Sequence, residues 1–452
     1  MSDRSPRTPN IVIVFGDQWR AQAAGYAGNA VVRTPHLDRL ADESVHFVNA
    51  VAGCPVCSPY RASLLTGQQP LTHGVFVNDV CLCNGAVSIA GACKRAGYET
   101  AYIGKWHVDG HGRSNYIPPE RRQGFDFWEV LECTHQYNHS PYYAGDSDEK
   151  RFWDGYDAIA QTARACEYVR DHAEGEPFLL VLSWGPPHAP YETAPPRYRA
   201  MYDPAGIALR PNVPASHAEQ ARKDLAGYYA HCTALDDCLA QLRHTLAETG
   251  IDDNTVFLFT SDHGDMLGSQ GHVKKQRPWD ESIRVPFLLR YPAGLGEAAR
   301  VSEKIIDAPD VMPTLLSLAG IEIPRTVEGA DLSAFARGAP APADDAALIG
   351  CYWPFGQYTR RIGGKEYRGL RTRQHTYARD LAGPWLLYDN LADPYQLDNL
   401  VNRPEAAEIQ ARLDARLQAR LAQAGDEFLP GDEYVRRWGY VVDESGTVPY
   451  TN

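Results

Sequence analysis

After a polar start, the chain runs Asn10-Ile-Val-Ile-Val-Phe15 without a break in its apolar character. The run is rich in β-branched residues and has no polar alternation, which predicts a central strand covered on both faces. Gly16-Asp17-Gln18 follow at its carboxyl end, the edge where open α/β sheets carry their active sites. Thr100–Ile103, Pro177–Ser183, Thr255–Thr260 and Val285–Arg290 read as further strands, and Ser261-Asp262-His263-Gly264 follows the third of these directly. Pro35–Ser44, Val87–Arg95, Asp154–His172 and Asp310–Ala319 read as helices. Leu225, Tyr228, Cys232, Leu235, Leu239, Leu242 and Leu246 fall three and four apart. That spacing draws one apolar stripe along a long helix, which Gly250 ends. Strands alternating with helices predict an α/β fold.

Two stretches break the alternation. From Gly110 to Gly155 the chain is aromatic, Gly-rich and without a clear period, and is expected to be an excursion over the active site. Gly338-Ala-Pro-Ala-Pro-Ala-Asp-Asp345 has the composition of a linker. It divides a catalytic domain over 1–340 from a small C-terminal α+β subdomain over 346–452.

The 452 residues, 44% hydrophobic and 22% charged, suffice for a large core. The net charge of −13 argues against a generic nucleic-acid binder, so an anionic substrate must be caught by a local cluster of positive groups. Met1 to Pro9 lacks the apolar segment of a secretory signal, and no apolar run reaches membrane-spanning length. A cytoplasmic protein without a membrane partner is therefore expected. Its ten cysteines are expected to be mostly reduced and buried, with Cys81 and Cys83 the pair most open to another role.

The chemistry is densest at Cys57-Ser58-Pro59-Tyr60-Arg61-Ala62-Ser63-Leu64-Leu65-Thr66-Gly67. Ser58 can cap a helix and Pro59 suits its first turn. Cys57 would then sit where backbone N–H groups and the helix dipole favour negative charge, with Arg61 adding a positive charge one turn on. Asp17 and Asp262, each following a buried strand, can converge on one hard cation, with Gln18 offering an amide oxygen and His263 a ring nitrogen.

The C-x-P-x-R stretch resembles the maturation signature of the type I, formylglycine-dependent sulfatases of the alkaline phosphatase superfamily. The resemblance extends along the chain through Pro9–Asp17, Thr34–Leu40, Gly104-Lys-Trp-His107, Pro186–Pro190, Thr260–Gly264, Lys275–Pro286 and Leu387–Leu400. It implies an alkaline-phosphatase-like sandwich: a large, mostly parallel central sheet flanked by helices, with a small antiparallel sheet and helix in the C-terminal subdomain. It also implies that Cys57 is oxidised by a formylglycine-generating enzyme and that the hydrated aldehyde attacks sulfur.

The remaining roles follow from the same resemblance. Asp17, Gln18, residue 57, Asp262 and His263 would hold Ca²⁺. The Asp17-Gln18 and Asp262-His263 pairs depart from the commoner Asp-Asp and Asp-Asn; a nitrogen ligand suits Ca²⁺ poorly and Mn²⁺ better, and Mg²⁺ also stays open. Lys105 and Lys275 would clamp the sulfate, with Lys274 an alternative to the latter. His107 would act as base, and His188 as sulfate contact or acid toward the leaving oxygen. His73, His111, His135 and His272 are weaker pocket candidates. Trp128, Tyr137, Tyr142, Tyr143 and Trp153 either stack on a sugar or aryl group or pack internally, while Asp236-Asp237 reads as a solvated helix face.

The implied substrate is a small-molecule or oligosaccharide sulfate ester, with a sugar sulfate preferred. Asp-Gln and Asp-His pairs also occur in phosphonate monoester hydrolase and choline sulfatase relatives, so phosphonate monoester or phosphodiester hydrolysis stays open. A non-catalytic binding protein would require Cys57 to remain unconverted. A redox or metal-thiolate role for Cys54 and Cys57 lacks the βαβ context of a thioredoxin motif.

Overall fold

The computed structural model describes residues 8–297, 299–343 and 345–449. The polar start Met1–Arg7, Asp344 of the expected linker and the last three residues of the C-terminal subdomain lie outside them. The strands are β1 (Asn10–Asp17), β2 (Val45–Val51), β3 (Glu99–Lys105), β4 (Phe127–Leu131), β5 (Pro141–Ala144), β6 (Arg151–Phe152), β7 (Phe178–Pro187), β8 (Thr255–Ser261), β9 (Phe287–Arg290), β10 (Arg300–Asp307), β11 (Ala346–Cys351), β12 (Tyr367–Thr372), β13 (His375–Asp380) and β14 (Gly383–Asp389). The first ten form one sheet in the order β10-β2-β9-β8-β1-β7-β3-β4-β5-β6. Its centre, from β8 to β4, is parallel; β9 runs antiparallel between β2 and β8, and β5 and β6 close one edge as antiparallel strands. A mostly parallel, helix-flanked sheet is the architecture expected from the chain.

Strand β1 shows why its pattern lacks alternation. Ile11, Ile13 and Phe15 enter the apolar layer that holds Leu64, Leu65, Val311 and Leu315. Val12 and Val14 enter the opposite layer with Leu235, Leu239, Leu242 and Val169. Each such side chain contributes about 1.5–3 kcal/mol by leaving water, so both faces of β1 are selected to be apolar. The striped helix spans Ala218–Glu248, and its seven stripe residues are buried.

The second sheet, β11-β12-β13-β14, is antiparallel and packs against the helix Ala407–Gln423 through Leu413, Leu417 and Leu421. It docks on the large sheet's domain through Gly350, whose N–H donates to Gly53 O at 2.8 Å, and through the buried Arg371–Asp280 pair. Among the described residues, no helix is long and apolar enough to cross a membrane.

Four expectations change. The Gly110–Gly155 segment is not a structureless excursion: it contributes β4, parallel to β3, followed by β5 and β6. These strands have two to five residues, too few to show a period. Most of its aromatic residues pack inward. Trp128 meets Trp106 at 5.1 Å between centroids, and Tyr142 stacks on Trp153 at 3.9 Å. Asp236 is buried rather than solvated, and its carboxylate accepts from His36 N and Leu37 N at the start of the helix Pro35–Ala41. Cys81 and Cys83 are joined as a disulfide, whereas the other eight cysteines are free and buried. Ser58, finally, does not cap its helix: Val56 occupies that position, and Ser58 N donates to Asn78 Oδ1 at 3.0 Å.

Asp157 ties the 110–155 segment to the core. It starts the helix Asp157–His172, and its N–H donates to Tyr137 O at 2.7 Å. Its Oδ1 is buried without a hydrogen-bond partner among the described residues. Burial pushes its carboxyl from 3.8 up to about 8. Between those values the folded chain keeps a proton that the unfolded chain has lost, so this group's contribution to stability falls as pH rises. Asp157→Asn is therefore expected to lessen the loss of stability between about pH 5 and about pH 8, read as urea midpoints for both proteins. An unchanged pH dependence would contradict the buried, protonated Asp157.

Candidate active site and metal centre

The parallel register places two carboxylates side by side. Strands β1 and β8 pair with Gly16 opposite Ser261, so the next residues, Asp17 and Asp262, leave the sheet together. On the other side of β1, β7 ends at Pro187 and carries His188, while β3 ends at Lys105 and carries His107. Four carboxyl ends thus converge, as open α/β sheets favour. Cys57 reaches the same point from the first position of the helix Cys57–Thr66.

The ligand atoms of Asp17, Cys57, Asp262 and His263 all lie within 4.8 Å of one another, and all four residues are buried. Cys57 Sγ is 3.2 Å from His263 Nε2, 3.7 Å from Asp17 Oδ1 and 3.1 Å from Lys275 Nζ. The sequence favoured Lys275 for the second clamp, with Lys274 as its alternative. It is Lys275 that reaches Cys57, whereas Lys274 N donates to Asp265 Oδ1. The segment after β11 holds this stretch, since Gln276 exchanges hydrogen bonds with the backbone of Phe355 and Arg277 Nη2 donates to Gln357 O.

Arg61 ties the two carboxylates together. Its Nε and Nη2 donate to Asp262 Oδ2 at 3.1 and 3.0 Å, and Nη2 also donates to Asp17 Oδ2 at 3.2 Å. Its Nη1 donates to Lys105 O and Ser183 Oγ, both at 2.8 Å. Lys105 Nζ pairs with Asp17 Oδ2. Burial opposes ionisation of Asp17, but Lys105, His188, Lys275 and His263 outweigh it and hold the carboxyl well below its ordinary value. Asp262 is pushed up by burial and by the neighbouring Asp17. Burial and Asp17 also oppose a thiolate at Cys57, yet Lys105, Lys275 and His263 together hold the thiol well below the usual range. The centre therefore interleaves acidic groups and cations in direct contact.

The donor set fits a divalent cation. Gln18 donates from Nε2 to Asp265 Oδ2 at 2.6 Å, which fixes its amide orientation. Its Oε1 is buried and accepts no hydrogen bond among the described residues, leaving it for an ion. Two carboxylates and an amide oxygen would be hard ligands, and His263 would supply the single nitrogen.

The histidines divide. His107 lies at φ 62° with Nε2 3.1 Å from Asp79 Oδ1. Burial lowers the basicity of the ring, but Cys133, Asp79 and Cys57 raise it to about 9 despite Lys105. His188 is pushed well below its ordinary value by burial and Lys275, and its Nδ1 lies 2.7 Å from Ala189 O. His135 stacks on His188 with centroids 4.7 Å apart and joins the site's rim. The other three candidates point elsewhere: His73 is buried against Ser63 and Val75 N, His111 bonds Asp109 O, and His272 packs beside Trp279. Asp79, Arg113, Ser183 and Asp265 are site residues that sequence reasoning missed. Only Asp265 had a local signal, three residues beyond Asp262 in the same turn.

Two family models overlap on this frame. The sulfatase model matches residues 9–321, and a second, described as N-sulphoglucosamine sulphohydrolase, C-terminal, matches residues 268–423. The chain belongs to the sulfatase family, within the alkaline phosphatase superfamily, and is a sulfuric ester hydrolase. It is 46% identical over 451 residues to an ulvan-active sulfatase of Formosa agariphila, covering 98% of this chain and 87% of that protein. It is 30% identical over 468 residues to an endo-4-O-sulfatase of Bacteroides thetaiotaomicron, covering 87% and 88%. Among solved structures, the phosphonate monoester hydrolase of Agrobacterium radiobacter superposes with a TM-score of 0.75 at 25% identity, covering 98% and 100%.

Proposed function

We propose that this sulfatase hydrolyses sulfate esters of sugars through a formylglycine made from Cys57 by a formylglycine-generating enzyme. A divalent metal would be held by Asp17, Gln18, residue 57, Asp262 and His263. The aldehyde hydrate would supply the nucleophilic oxygen, and a bound metal would supply polarisation of the sulfuryl group. The reading is carried by the position of Cys57 Sγ, 3.1 Å from Lys275 Nζ and 3.2 Å from His263 Nε2, in a set of buried charges. Lys105 and Lys275 hold the sulfate oxygens as point charges. Arg61 keeps both carboxylates side by side. In its neutral form His107 takes up the proton whose removal lets sulfate leave, and His188 contacts the sulfate or serves the leaving oxygen. Ca²⁺ is the expected ion, with Mn²⁺ the competitor that the nitrogen of His263 favours and Mg²⁺ a further alternative. The carbohydrate preference rests on the relatives named for ulvan and for endo-4-O-sulfate release.

Gln18 and His263, together with the likeness to a phosphonate monoester hydrolase, favour phosphonate monoesters or phosphodiesters as the second reading. Measuring kcat/KM for an aryl sulfate and an aryl phosphodiester on one preparation separates the two. The sulfate is expected to be the better substrate by at least about tenfold, or 1.4 kcal/mol in the transition state. A strong preference for the diester would overturn the assignment.

A further inference from the structure

His107 is held from one side. Its Nε2 lies 3.1 Å from Asp79 Oδ1, while its buried Nδ1 has no hydrogen-bond partner among the described residues. Asp79 is fixed in turn. Arg113 donates from Nε to Oδ1 at 2.9 Å and from Nη2 to Oδ2 at 2.8 Å, a bidentate clamp.

Asp79 comes from one loop, and His107 and Arg113 come from a second, the connection between β3 and Pro119. Leu82 N donates to Val108 O at 2.9 Å, connecting the loop of Asp79 to that of His107. Asp109 N and Gly110 N donate to Glu132 Oε1 at 2.9 and 3.0 Å, tying the second loop to the end of β4. Gly110, at φ 69°, is packed so closely that a Cβ would lie 2.4 Å from Cys81 N. Asp79 and His107 both have positive φ, at 64° and 62°. That conformation persists in non-glycine residues only where the surroundings dictate it.

An ionised carboxylate accepts hydrogen bonds and donates none. The hydrogen between Asp79 and a neutral His107 therefore sits on Nε2, and the lone pair is left on Nδ1. We propose that Asp79, clamped by Arg113, is a positioning residue that fixes His107 in its Nε2–H tautomer and leaves Nδ1 as the basic nitrogen facing the reaction. The assignment rests on the sulfatase reading for its catalytic consequence and on the Asp79–His107–Arg113 geometry for its structure.

The test combines kinetics with the ¹⁵N NMR spectrum of the His107 ring, recorded above about pH 9, where the ring is neutral. Asp79→Asn is the chosen variant because asparagine tolerates positive φ. It is expected to lower kcat on an aryl sulfate by roughly 10²–10⁴-fold, the range for a misdirected general base, with KM changed by less than about threefold. Arg113→Met leaves Asp79 in place but unclamped, and is expected to lower kcat by roughly 10–100-fold. The wild-type spectrum is expected to show a protonated Nε2 and a pyridine-like Nδ1, and Asp79→Asn to show a mixture.

A wild-type ring protonated on Nδ1 would overturn the proposal, as would Asp79→Asn turning over within about threefold of wild type. If Asp79→Asn fails to fold, the wild-type tautomer and Arg113→Met decide in the same way. A folded wild type inert toward every sulfate ester would overturn the sulfatase reading instead, and the tautomer would still decide the role of Asp79.

Discussion

Cys57→Ala is expected to lower sulfate-ester kcat by roughly 10⁴–10⁶-fold, the loss typical of a removed nucleophile, while the fold is kept. Cys57 occupies the first turn of its helix, where Val56 already serves as N-cap, so alanine preserves the local backbone. What disappears is the one atom that meets Lys275 at 3.1 Å, His263 at 3.2 Å and Asp17 at 3.7 Å together. Lys105 and Lys275 remain, and the variant should therefore still bind a sulfate ester, with calorimetry giving a Kd within about tenfold of the wild-type KM. Turnover within about tenfold of wild type would exclude residue 57 as the source of the nucleophile.

Arg61→Met should cost the most stability of any single change in the site. Arg61 is buried and makes four kinds of contact: Asp17, Asp262, the Lys105 carbonyl and Ser183. Methionine fills part of the volume beside Phe15, whose ring centroid lies 4.8 Å from the guanidinium. It leaves two adjacent carboxylates without the cation they share. Breaking a buried pair in this way costs about 3–5 kcal/mol. Arg61→Lys should recover little of it, because an ammonium cannot reproduce a planar fork spanning two carboxylates. Urea unfolding reads the stability, and elemental analysis of the purified proteins reads the metal. Both variants should lose metal as well as stability. An Arg61→Met protein with wild-type urea midpoint and metal content would refute the role given to Arg61.

How far the chain could be read in advance varies with the kind of interaction. Asp17 and Asp262 were legible because each ends an apolar run, and a parallel sheet brings such ends to one edge. Cys57 and Arg61 were legible because they share one helical turn. Asp79 and Arg113 were not, because Asp79 meets His107 and Arg113 from a loop with no period, 28 and 34 residues away, a separation that only the folded chain closes. Asp236 was misread for a related reason. On its own helix it flanks the apolar stripe, and its burial comes from the N-terminus of Pro35–Ala41 docking on it. The strands within 110–155 escaped because a strand of two to five residues cannot display alternation.

The chemistry assigned to this site begins with a modification of one side chain, so the most direct measurement is the mass of the peptide spanning residue 57. The protein would be expressed with a formylglycine-generating enzyme, digested and analysed intact. The expected result is a peptide in which the Cys57 thiol has been replaced by an aldehyde or its hydrate, in a fraction that matches the active fraction of the preparation. A fully active preparation whose peptide carries only unmodified cysteine would contradict it.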